Sequence, residues 1–140
     1  MQFICDAPDG KVWFRIETEA EAEAEAALME HAVDKHFRRH ESAAREAYRA
    51  PKGAARFEEA IGLKAYIART MPIFLTLRGG DGAGLATAML PPGGREHAQI
   101  RPVIVGPRNG DPYPGQGAAI DSLARHFNIA LPRERCFPYG

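Results

Sequence analysis

Apolar positions in this chain change rhythm several times, and each change marks an element. "FICD" and "KVWFRI" are short β-type runs around "APDG", a turn with Pro before Asp-Gly, and together they predict an N-terminal hairpin. Trp13 and Phe14 must point to opposite faces of its second strand, so one of them meets something other than the main core.

A helical rhythm follows. Ala22, Ala26, Met29, Val33, Phe37, His40, Ala44 and Ala47 recur at steps of three and four, a single helix stripe with Tyr48 alongside. In front of it, "ETEAEAEAEAAL" puts Glu at every odd position from 17 to 25, which is the period of a strand. A strand here would oppose a row of Glu with nothing but Ala, and would bury too little. Glu and Ala are good helix formers, and Thr18 and Glu21 have the T-x-x-E spacing of a capping box. The reading is a helix over 18–49, stopped by Pro51. At ~1.5 Å per residue it would be roughly 48 Å long. A compact domain of this length has a radius of gyration near ~14 Å. Such a helix must project, pack on a partner chain, or break, and "RRHES" is the expected break.

Further on, "AARFEEAIGLKAYIAR" aligns Phe57, Ala60, Ile61, Lys64 and Ala68 along one side of a second helix, weakened by Gly62 and ended near Pro72. "IFLTLR" and "LATAML" read as a hairpin across the loose turn "GGDGAG", and "QIRPVIVG" as another strand with Pro102 near its start or on an edge. "AAIDSLARHFNI" closes as a helix with Ile120, Leu123, Ala124 and Phe127 on its apolar stripe, and "ALPRERCFPYG" is left unassigned. The order of elements predicts a single α+β domain over 1–140. It has a mainly antiparallel sheet, made of the N-terminal hairpin and three later strands, with the helices packed on one face.

Composition sharpens this only slightly. The formal net charge is +0, which gives no global pull toward nucleic acid or membrane. The charge is segregated, however: residues 1–30 hold eight acids and two bases, and residues 31–140 hold ten acids and sixteen bases. Abundant Ala and Arg fit a GC-rich bacterial genome. No long apolar span or signal-peptide core is present, so a cytoplasmic location is the expectation. Cys5 and Cys136 lack metal or redox spacing and read as free thiols, unless the fold brings the two ends of the chain together and pairs them.

Candidate chemistry is sparse. His36 and His40 stand i, i+4, a spacing that can present two ligands to a metal, but no third ligand sits at a recognisable distance and Lys35, Arg38 and Arg39 surround them. The two serines fall inside helices, and no nucleophile–base set can be assembled. Cys136 follows Arg133 and Arg135 in a tail expected to be mobile. "GGDGAG" lacks the GK[ST] of a phosphate loop. The best site is "GPRNGDPYPGQGAA". There a strand ends, a rigid loop carries Arg108, Asn109, Asp111 and Tyr113, and a helix opens beside Gly115 and Gly117. Free N–H groups, glycines and an arginine are the parts of a site for a small anion, to which Arg78, Arg95 and Arg101 could add charge. The seven bases between Lys35 and Arg56 lack interleaved aromatics, so nucleic acid is not the expected partner.

Two functions are compatible with these features. The first is a non-catalytic binding or interaction module that forms a homo-oligomer through the 18–49 helix. Its acidic start would meet the basic end of a second copy, with Ala26, Met29, Val33 and Phe37 between them. The second is an enzyme or sensor that holds a small anionic metabolite at Arg108–Gly117. No cofactor is indicated.

Overall fold

The computed structural model describes residues 1–138. Strands β1 (Gln2–Ala7), β2 (Lys11–Arg15), β3 (Ile73–Arg78), β4 (Gly84–Leu90) and β5 (Val103–Val105) form one sheet. Each pairs antiparallel with the next in sequence. Five helices accompany them, and the α+β class read from the sequence is the class observed.

The middle strand dictates the layering. Every side chain of β3 from Ile73 to Leu77 is buried, so both faces of the sheet have to be covered. On one face Trp13, Leu75, Leu77 and Ile104 pack with Ile120 and Leu123 of α4 (Tyr113–Phe127) and Cys136 of α5 (Arg133–Cys136). On the other, Ile16 and Phe74 pack with Ala22 of α1 (Glu19–Met29) and with Val33 and Phe37 of α2 (Val33–Ala47). Helices on a single face, as the order of elements suggests, would leave half of a strand written I-F-L-T-L in water. Trp13 takes the α4 side, where its indole N–H donates to the Ala119 carbonyl at 2.8 Å, and half-buried Phe14 belongs to the other face.

The acidic run opens a helix as predicted. The Thr18 hydroxyl accepts from the Glu21 N–H, and the Glu21 carboxylate accepts from the Thr18 N–H. The 18–49 helix does break, but at 30–32 and not at "RRHES". Glu30 adopts a left-handed conformation (φ 54°), the N–H groups of Glu30 and His31 both reach the Ala26 carbonyl, and α2 starts at Val33. Sheet length supplies the reason. A strand of six residues spans ~20 Å, so a straight helix would carry Phe37 off the sheet that buries it. The fold-back also sets acid against base within one chain: Arg38 of α2 lies 3.5 Å from Glu19 and Glu23 of α1 and 3.3 Å from Asp34. The stripe expected between two copies, Met29, Val33 and Phe37, is buried in its own sheet.

Helix α3 (Arg56–Thr70) turns its other side inward. Ile67 packs toward the α2-side core and Tyr66 against Tyr48, while Phe57 and Ile61 are 66% and 61% exposed. Gly62 is there for space, since a Cβ would lie 2.3 Å from the Tyr48 hydroxyl. At the other end of the chain, α4 begins at Tyr113, earlier than its apolar stripe, with an irregular residue at Gln116. The unassigned tail supplies Leu131 and the short α5 to the core.

Candidate ligand-binding cavity

Alternation along β3 and β4 turns Thr76, Arg78 and Thr87 toward α1, and register sets Phe14, Thr76, Thr87 and Val105 side by side on consecutive strands. Two hydroxyls in the middle of an otherwise apolar face need partners. Glu25 provides them. It lies three residues after Ala22 and four before Met29, on the buried side of α1, and is fully inaccessible. Its carboxylate accepts from the Arg78 guanidinium at 2.6 Å and from the Thr87 hydroxyl at 2.5 Å, and Arg78 Nε donates to Thr76 Oγ1 at 3.1 Å. No buried side-chain polar atom among the described residues lacks a partner.

His31, in the elbow between α1 and α2, extends this network outward. Its Nε2 lies 2.8 Å from Thr87 Oγ1, and its Nδ1 is 3.4 Å from the Val33 N–H. Because Thr87 gives its proton to Glu25, Nε2 is the protonated nitrogen and donates to Thr87 Oγ1. Nδ1 then accepts, weakly, from the backbone of α2. Burial, the main cause, holds the His31 pKa below its ordinary value against the pull of Glu25, so the ring is neutral near pH 7. With both nitrogens engaged, this imidazole orients and donates; it has no free lone pair to abstract a proton.

The outer edge of this network borders a cavity of about 450 Å³. Its floor is the sheet, with Phe74, Met89, Val103 and Val105, and its wall is the elbow Ala32–Val33. The polar contributions are His31 and Thr87, then His36 and Arg39 from α2, 3.2 Å apart, and Asn109 from the loop after β5. Arg39 is exposed at the rim and ion-paired with no acid among the described residues. Cavities of this size with mostly apolar walls and a few polar groups are the usual form of small-ligand sites.

No family model, curated protein or solved structure matches this chain.

Among the residues singled out from the sequence, only His36 and Asn109 line this cavity. His40 stands against the Phe74 ring, 6.1 Å between centroids, and burial and the neighbouring Arg39 depress its pKa. No group of three metal-ligating side chains occurs among the described residues. The loop after β5 works largely toward the C-terminal segment. Asp111 accepts from Arg133 at 2.6 Å and from the Tyr113 N–H, the Tyr113 hydroxyl donates to the Leu131 carbonyl, and Arg101 reaches the Pro138 carbonyl at 3.4 Å. Exposed Arg108 pairs with Glu30 at 3.1 Å. Gly115 and Gly117 lie in the first turns of α4, and Arg78 is committed to Glu25. The segment around Cys136 is packed: its thiol is buried, and burial raises its pKa although Tyr113 and then Arg135 oppose the shift. Both cysteines are free.

The sequence carried a signal for Glu25 that the alternation hides. Of the five glutamates in the run, it is the one in phase with Ala22 and Met29, so a helix reading already places a carboxylate on the buried face. Nothing local marks His31, which matters only because the chain turns there.

Proposed function

We propose that this protein binds a small, mostly apolar ligand carrying one carboxylate or comparable anionic group, in the cavity over β4 and β5. The supporting observation is the lining: an apolar floor from Phe74, Met89, Val103 and Val105, with His31, His36, Arg39 and Asn109 as its polar groups. Arg39 supplies the positive charge, and the Glu25 carboxylate behind the site is already neutralised by Arg78. Binding without turnover fits the hydrogen bonding of His31, whose two nitrogens are both taken. The reading keeps the small anionic ligand expected at Arg108–Gly117 and moves it to the cavity, with Asn109 common to both.

Thermal shift with straight-chain carboxylates from propionate to decanoate tests it. A ligand at a hundred times its Kd stabilises by about 2.7 kcal/mol, a Tm rise of roughly 5–10 °C at this chain length. The expected result is a rise that grows with chain length to an optimum and shrinks for the matching alcohols. Val103→Phe, which fills the floor, should abolish the rise without lowering the unliganded Tm, and Arg39→Ala should weaken carboxylates more than alcohols. A flat response across the series, or a rise untouched by Val103→Phe, would sink the proposal.

A further inference from the structure

The outward side of α3 is apolar although no described residue covers it. Helical spacing sets Phe57, Ile61, Ala65 and Ala68 on one side, opposite Ile67 and Tyr66, which face the protein. All four are exposed, and Phe57 and Ile61 are the two most exposed large apolar side chains among the described residues. Isolated exposed apolar residues are ordinary, but a row of four along one helix face is a contact surface.

Two gradients along this row say what covers it. The large side chains are in the first half of α3 and the small ones in the second. On the flank beside the row charge runs the same way, with Glu58 early and Arg69 late, although Arg56 opens the helix. A second α3 laid antiparallel, related by a two-fold axis near residue 63, would set Ile61 on Ala65 and Phe57 on Ala68. A two-fold axis of that kind keeps each flank on its own side, and Glu58 and Arg69 share a flank, so each Glu58 would meet the other copy's Arg69. Lys64 lies on the opposite flank beside a groove of about 800 Å³ between α3, α2 and the end of β2, where Glu17, Glu19 and Glu41 are balanced by Arg15 and Arg45. With Glu19 paired to Arg38 and Glu41 to Arg45, the approach of two Lys64 side chains at the axis opposes the pairing and keeps it weak.

We infer that the protein self-associates as a two-fold dimer through antiparallel α3 helices, with Phe57 and Ile61 of each copy seated on Ala65 and Ala68 of the other. This rests on α3 alone and is independent of the cavity. One helix of 15 residues, ~22 Å long, presents less area than a standard stable interface. The dimer is therefore a concentration-dependent one.

Sedimentation equilibrium of the full chain over micromolar to millimolar concentrations is the test. The native chain should show a monomer–dimer equilibrium, and Phe57→Lys with Ile61→Lys should weaken it about tenfold or more while leaving the Tm in place, since both side chains are exposed. Glu58→Arg and Arg69→Glu should each weaken the dimer, and the double exchange should restore it. A monomer throughout the range overturns the inference. So does a dimer indifferent to Phe57 and Ile61, which would place the contact elsewhere. A double exchange no better than the single ones overturns the antiparallel pairing.

Discussion

At the scale of single residues, the decisive feature is a charge placed where apolar side chains belong. A carboxylate with no exposure is tolerable only when paired and fully hydrogen-bonded, and Glu25 has Arg78 and Thr87 for that. Removing one partner leaves the other stranded. Arg78→Met should cost about 3–5 kcal/mol, measured by urea unfolding; a loss below about 1 kcal/mol would mean that water reaches Glu25. His31 and His40 give a second expectation. Burial lowers both pKa values in the folded protein, so the unfolded chain binds protons more readily than the native one does. Their contribution to stability is complete above pH 6.5, the ordinary histidine value, and is lost as the pH falls through the lowered pKa values. Denaturant midpoints should fall as the pH is lowered from 6.5 toward 5, and His31→Asn should flatten the slope. An unchanged slope in that variant would assign the effect to His40.

Among the elements, the elbow between α1 and α2 organises the most. It keeps Phe37 over the sheet, brings Arg38 back to Glu19 and Glu23, and sets His31 between Thr87 and the cavity. Its hinge is a glutamate in a conformation that favours glycine: Glu30 has φ 54°. Glu30→Gly should therefore stabilise the protein by roughly 0.5–1 kcal/mol, relief of left-handed strain outweighing an exposed ion pair with Arg108. A loss of stability in thermal melts would show that the Arg108 contact holds the elbow shut. The position of this break was not legible locally. No Gly or Pro marks residues 30–32, and the apolar stripe runs through them unbroken. Helix α3 shows the converse. Its two sides are both apolar enough to face a core, so periodicity found the helix without finding its inner side, which is the side where Tyr48 approaches Gly62.

Over the whole molecule, sequence determined the elements and their class. The β-type runs of β1–β4, the Thr18 capping box and the α4 stripe are local patterns, and each appears in the structure because its cause, residue preference, period or cap, is local too. It also determined the composition of the sheet's centre, since a five-residue run buried throughout can only be covered on both faces. Tertiary structure alone decided where the long helix turns, which groups the buried Glu25 pairs with, and which side chains share the cavity. Glu25 lies more than fifty residues before Arg78 and Thr87. Their meeting depends on strand register and on the elbow's angle, and neither is encoded in the spacing of any one segment. Asp111, Tyr113 and Arg101, which look like a ligand site in the loop's own sequence, are turned toward the C-terminal segment once it packs beside them. Local pattern sets what each stretch can become; burial of one stretch against another sets which polar groups are left to face a cavity.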